Sequence, residues 1–167
     1  VPVYGYGMML QKKPVEELIS LFEEESKQIK SKNFKAMKMK VGLGPKDDLK
    51  LVQAVRDSIG KDFKLMVDAN HAYNLKDALY VGKGLDELDV FWFEEPVAPE
   101  DYEGYSELKQ KISTSVAGGE AEFTKYGWNK LISNKCIDIA QPEVCGLGGI
   151  TEYLKVAALA QANFIPV

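Results

Sequence analysis

Apolar runs suited to buried strands alternate with amphipathic helical stripes from one end of the chain to the other, and this alternation limits the fold more than any other feature. The strand-like runs are Val1 to Tyr6, Phe34 to Val41, Phe63 to Asp68, Val90 to Glu94, Thr114 to Glu120, Ile137 to Gln141 and Phe164 to Val167. Between them lie helical stripes. Val15, Leu18, Ile19 and Phe22 follow Pro14, Val52, Val55 and Ile59 precede Gly60, and Ala78, Val81, Leu85 and Leu88 form a third stripe. Tyr105, Leu108 and Ile112, then Lys125 to Asn134, then Ile150, Tyr153, Leu154 and Ala157 complete the series. Parallel strands need crossover connections, which are usually helical, so the sequence predicts an α/β fold with a helix-covered parallel sheet.

An open sheet and a closed barrel both satisfy that order. Polar residues recur where the predicted strands end, at Lys40, Asp68, Glu94, Glu120 and Glu143, with separations of 28, 26, 26 and 23 residues. Such regularity favours a barrel, in which every strand delivers its last residues to one rim. A barrel of eight units takes about 250 residues. This chain of 167 stops on a seventh predicted strand. It therefore reads as a partial barrel domain, completed by strands outside the sequence or by another copy of itself, because an open edge exposes unpaired backbone groups. A homo-oligomer is expected on that ground.

Composition narrows the partners. With 21 basic against 25 acidic residues, a net charge of -4 and no basic run, the chain lacks the Lys and Arg clusters that hold nucleic acid or anionic membrane. A small-molecule partner is expected instead. No apolar stretch approaches the ~20 residues of a membrane span, and Val1 to Gly7 has no signal-peptide pattern, so a cytoplasmic location is expected. Cys136 and Cys145 are not spaced as a CxxC pair and lie among apolar residues, which predicts reduced core thiols.

Chemistry concentrates at the strand ends. Lys38 and Lys40 are two apart on one predicted strand, so both ammonium groups share a face while Met37, Met39 and Val41 take the other. Two lysines pressed together there require nearby anions. Asp68, Glu94 and Glu120 each end an apolar run, and three carboxylates from neighbouring strands repel one another unless a hard divalent cation lies between them. The set predicts a Mg2+ site, although each acid alone would fit a helix cap. Asn70 shares the parity of Asp68 and can reach the same place. Glu95 alternates away from Glu94 and reads as a supporting residue or a loop charge paired with Lys. His71, the only histidine, reads as a loop residue of the surface or framework. Gly146-Leu147-Gly148-Gly149 completes no phosphate-loop motif and reads as a strand-to-helix turn, and Phe91, Trp92 and Phe93 read as a strand buried on both faces.

Taken in order and spacing, Lys38-Met39-Lys40, Val67-Asp68-Ala69-Asn70, Phe93-Glu94-Glu95-Pro96 and Gly119-Glu120 resemble the enolase superfamily, specifically its mandelate racemase subgroup. The resemblance implies a (β/α)7β barrel of the TIM type, with a separate capping domain not included in the sequence. It implies Asp68, Glu94 and Glu120 as Mg2+ ligands, Lys40 as general base, and Lys38 as its neighbour on the carboxylate side of the substrate; Asn70, by its parity with Asp68, is a candidate substrate contact, although an Asn after a strand is more often a turn former. The substrate class is a small hydroxy-carboxylate whose alpha proton is removed to give an enediolate. Nearby positive charge would lower the pKa of Lys40 for that task. The subgroup usually places an Asp where Glu143 stands, paired with a His from strand seven, so Glu143 is the candidate second acid/base group. No Lys lies between Cys136 and Gly149, which sets the muconate-lactonising relatives aside. Dehydration of a sugar acid is the first expectation, racemisation or epimerisation of a 2-hydroxy acid the second, and a non-catalytic metal-binding module the competing class.

Overall fold

The computed structural model describes residues 3–167. Its elements are β1 (Gly5–Tyr6), α1 (Val15–Ser31), β2 (Ala36–Lys40), α2 (Pro45–Ile59), β3 (Lys64–Asp68), α3 (Leu75–Glu87) and β4 (Trp92–Glu94). They continue with α4 (Tyr102–Lys111), β5 (Ser115–Gly118), α5 (Thr124–Ser133), β6 (Ile139–Ala140), α6 (Val144–Leu147) and α7 (Ile150–Ala162). Among the described residues the strands form one six-stranded sheet in chain order, β1 to β6, and every adjacent pair is parallel. The alternation predicts such a helix-covered parallel sheet, and its strictly sequential strand order is that of part of a barrel wall. No helix among the described residues is long and apolar enough to cross a membrane.

One face of the sheet makes the core. Met37, Met39, Leu65, Val67, Phe93 and Val116 are fully buried and join Leu18 and Phe22 of α1, Leu51 and Val55 of α2, and Val81 and Leu85 of α3 in a single apolar cluster. Each such burial stabilises the fold by about 1.5–3 kcal/mol. Because strand side chains alternate, filling this face with apolar residues sends Lys38, Lys40, Met66, Asp68, Trp92 and Glu94 to the other. The register then lines up the chemistry, with Tyr6 opposite Lys38, Lys40 opposite Asp68, and Asp68 opposite Glu94.

Val1 and Pro2, at the start of the first predicted strand, lie outside the described residues; within the described residues β1 is Gly5–Tyr6. Two local departures from the sequence expectation have physical causes. Phe164 to Val167 is not a strand: Phe164 has φ 58, Pro166 has no N–H to give, and the segment meets the sheet through Ala140 N donating to Pro166 O at 2.8 Å. Gly146 to Gly149 is more than a turn, since Val144–Leu147 makes one helical turn capped by Glu143 and stopped at Gly148, φ 109. That turn leaves Cys145 exposed, while Cys136 is a buried thiol as expected.

β5 stops at Gly118 because Gly119 adopts φ 116, a conformation that side chains with a Cβ disfavour. A Cβ at Gly119 would also strike the indole ring of Trp128, which is fully buried. The substitution Gly119→Ala is expected to lower stability by about 1–3 kcal/mol through both effects, read as a reduced urea midpoint at unchanged slope. An unchanged midpoint would show that this turn is free to reshape.

Candidate active site

Lys38, brought to the inner face by the alternation of β2, is buried with its Nζ 2.5 Å from Glu94 Oε1 and 3.2 Å from Asp68 Oδ2. Lys40 Nζ, one pleat further on, is 2.5 Å from Asp68 Oδ2 and also donates to Asn70 Oδ1. Glu94 gathers two more donors, Trp92 Nε1 at 3.0 Å and Gln141 Nε2 at 2.9 Å. Both carboxylates are almost fully shielded from solvent, Asp68 at 1% and Glu94 at 2% exposure, so these contacts replace their hydration.

The charges settle according to how many cations each acid has. Burial opposes the charge on Lys38, but the hydrogen bond to Glu94 and the charges of Glu94 and Asp68 outweigh it and hold the ammonium above the ordinary lysine value. Lys40 follows the same balance, burial against Asp68, with Tyr6 adding to the rise. Burial pushes Asp68 up, yet Lys40 and Lys38 together with the Asn70 N–H carry it below the ordinary carboxylate value. At Glu94 burial prevails over Gln141 and Lys38, and the carboxyl stands high. One ammonium cannot fully neutralise both acids, and Lys40 tips the balance toward Asp68. In the chain by itself Asp68 and Tyr6 raise Lys40 against its burial, opposite to the lowering expected from its lysine neighbour.

A cavity of about 570 Å3 runs along the inner face of the sheet, and Lys38, Glu94, Glu120, Gln141, Glu143 and Trp92 are among its walls. Lys40, Asp68 and Asn70 are not among its lining residues and join it through the ion pairs with Lys38. Glu120 is exposed on the turn after Gly119 rather than at a strand end. Glu143 opens on the same cavity but spends Oε2 on the Gly146 N–H at 2.5 Å, capping α6, and this bond and that of the Cys145 N–H lower its carboxyl pKa. Among the described residues no three His, Cys, Asp or Glu side chains stand close enough together to hold a metal ion. The donor chemistry nevertheless suits a hard dication: Asp68 and Glu94 already share one cation, the Lys38 ammonium, and Glu120 faces the same cavity.

Several residues of the site escape the strand pattern. Tyr4 packs edge-on against Trp92, ring centroids 5.6 Å apart at 86°, and Tyr6 lies 5.3 Å from Lys38 Nζ and 5.7 Å from Lys40 Nζ. These aromatic rings stabilise the two ammonium groups through their faces. Trp92 is therefore a site residue as well as a packing one, and Phe91 is exposed against Lys64, so only Phe93 is the buried core residue expected of all three. Parity with Glu94 was the available signal for Trp92.

Glu95 requires a correction. It is 1% exposed, has no Lys partner among the described residues, and does not simply turn away from Glu94. Its φ of 43 breaks the alternation and swings its Oε2 to 3.4 Å from Asn70 Nδ2 and 3.2 Å from His71 Nε2. Burial, then the charges of Glu120, Asp68 and Glu94, push its carboxyl up to about 7. His71 Nδ1 lies 3.1 Å from Val97 O, which can only accept, so Nδ1 carries a hydrogen. His71 is thus tied down at both ring nitrogens.

The chain is similar to known proteins in both sequence and fold. A family model described as enolase C-terminal domain-like matches residues 21–167. The chain is 40% identical over 138 residues to D-galactarolactone cycloisomerase of Agrobacterium fabrum, covering 83% of this chain and 36% of that protein. The 3,6-anhydro-D-galactonate cycloisomerase from Zobellia galactanivorans superposes with a TM-score of 0.91 at 45% identity, over 99% of this chain and 44% of that one. L-Talarate dehydratase from Polaromonas sp. JS666, solved in complex with Mg and L-glucarate, superposes with a TM-score of 0.86 at 28% identity, over 98% and 45%. The chain spans less than half the length of each of these proteins.

Proposed function

Because the chain belongs to the enolase C-terminal domain-like family of the enolase superfamily, we propose that it carries the base half of a site that removes the proton alpha to the carboxylate of a sugar acid. The observation that carries this reading is the arrangement of Lys38 and Lys40 on one face of β2, against Asp68 and Glu94. Lys40 is the base: its Nζ forms an N–H bond as the substrate C–H bond breaks. It can do so only after its contact with Asp68 is broken, since that carboxylate keeps the ammonium charged. Lys38, held in place by Glu94, presents its charge to the substrate carboxylate, and Asn70 orients Lys40 and contacts the substrate beside it.

Asp68, Glu94 and Glu120 would hold a Mg2+ ion, whose positive charge stabilises the carboxylate oxygens as electron density from the broken C–H bond moves onto them. Departure of a beta oxygen substituent follows and leaves an enol, which tautomerises to the keto acid. The C–O bond breaks, its electron pair leaves with the oxygen, and an acid supplies a proton to it; Glu143 is the candidate within the chain, and it can serve only once released from the Gly146 and Cys145 N–H groups that hold its carboxyl below the ordinary range. A free hydroxyl leaves as water, which is dehydration. A ring oxygen stays attached elsewhere, which is isomerisation by ring opening, and the two cycloisomerase relatives favour this second outcome.

The test is a panel of aldonic and aldaric acids and their lactones, incubated with the full-length protein and MgCl2 in deuterated water. The expected result is a keto acid or ring-opened product from at least one substrate, with loss of activity on chelation. A folded protein that forms no product and exchanges no alpha proton anywhere on the panel would overturn the proposal. Accumulation of alpha-deuterated substrate of inverted configuration, with no keto acid, would assign racemisation or epimerisation instead.

A further inference from the structure

We infer that Glu95 is a positioning residue for the base, acting through Asn70, and this rests on the reading of Lys40 given above. The turns after β3 and β4 are stitched together by backbone hydrogen bonds, Ala69 N to Glu94 O at 3.0 Å and His71 N to Glu95 O at 2.7 Å. Asn70, His71 and Glu95 all adopt left-handed backbone, with φ of 42, 64 and 43. Side chains with a Cβ adopt this conformation at a cost, and such residues gather where a site needs a fixed geometry. The consequence is that Glu95, which strand alternation would send away, comes beneath the Asn70 side chain.

A carboxamide has a donor end and an acceptor end, and here each end has one suitable partner. Asn70 Nδ2 faces Glu95 Oε2 and Asn70 Oδ1 accepts from Lys40 Nζ. Reversing the amide would aim its N–H groups at an ammonium and its oxygen at a carboxyl oxygen. Glu95 therefore locks Asn70 with its oxygen toward Lys40. Asn70 then keeps one hydrogen on Nζ after the contact with Asp68 is broken, which limits the directions open to the remaining positions of the tetrahedral nitrogen. When Lys40 is neutral, one of those positions holds the lone pair that meets the substrate. Glu95 itself is buried with no Lys or Arg partner among the described residues and only His71 Nε2 at 3.2 Å beside Asn70, an arrangement that packing alone would not favour.

The experiment compares Asn70→Ala, Glu95→Ala and the double variant in the full-length protein, with Glu95→Gln as the conservative control. Each single change is expected to lower kcat by about 10- to 100-fold with KM altered less than about 3-fold, as for a misdirected reacting group. The double variant should be no worse than the weaker single by more than about 2-fold, because the two residues act as one unit. Glu95→Gln, which retains an acceptor oxygen, should recover most of the loss. The side-chain amide protons of Asn70, followed by 15N-edited NMR, should be distinct and protected in the parent and averaged in Glu95→Ala. Multiplying effects in the double variant, or Asn70 resonances indifferent to Glu95, would overturn the inference. Absence of turnover in the parent would count against the proposed reaction, and the NMR comparison would still decide whether Glu95 orients Asn70.

Discussion

Lys40→Met is expected to lower kcat by about 10³- to 10⁴-fold, the range for loss of a positioned general base, and to stop exchange of the substrate alpha proton with solvent. Methionine keeps the length and apolar stem of lysine between Met39 and Val41, so the core face of β2 is undisturbed. Asp68 retains Lys38 at 3.2 Å, so the buried acid is not abandoned. Lys38 is not placed to take over the reaction, because Glu94 and Asp68 both hold its Nζ, at 2.5 and 3.2 Å. Measured kcat and proton-exchange rates, with circular dichroism to check the fold, decide the matter. A variant that still exchanges the alpha proton within about 10-fold of the parent would remove Lys40 from the role, since an effect that small is below what general base catalysis contributes.

The strand order and the pairing of Lys38 and Lys40 with Asp68 and Glu94 were legible because both depend on periodicity and register, which the spacing of apolar residues determines. Other features hang on single backbone torsions that leave no periodic trace. Glu95 turns inward only through its left-handed φ, and Glu120 lies past its strand because Gly119 at φ 116 ends β5 early. Phe164 to Val167 has the composition of a strand, but pairing needs backbone donors, and Pro166 supplies none. The electrostatics differed for another reason. Mutual repulsion among the acids argued for a dication, whereas the folded chain neutralises Asp68 and Glu94 with its own lysines at 2.5–3.2 Å. Inward-facing lysines and inward-facing acids are two readings of one site, and only coordinates show how they share it.

That sharing leads to a second expected result: Lys38→Met destabilises the metal-free protein by about 3 kcal/mol, the cost of leaving a buried ion pair without one partner. Glu94 would keep only the neutral donors Trp92 and Gln141, and the mutual repulsion of Asp68 and Glu94 would no longer be bridged. The loss has a pH signature. Asp68, with its pKa held below the usual value, contributes stability that is present above the unfolded-state value and lost as pH falls through the folded one. Without Lys38 that acid-side loss should shrink, because the folded value moves toward the unfolded one. A dication and the ammonium compete for the same oxygens, so added MgCl2 should stabilise Lys38→Met more than the parent, by the ordinary linkage between binding and folding. Urea midpoints with and without MgCl2 measure both effects. Equal Mg2+ responses in the two proteins would place the metal away from Asp68 and Glu94, and an unchanged midpoint without metal would mean that Lys38 adds nothing to holding these acids inside the fold.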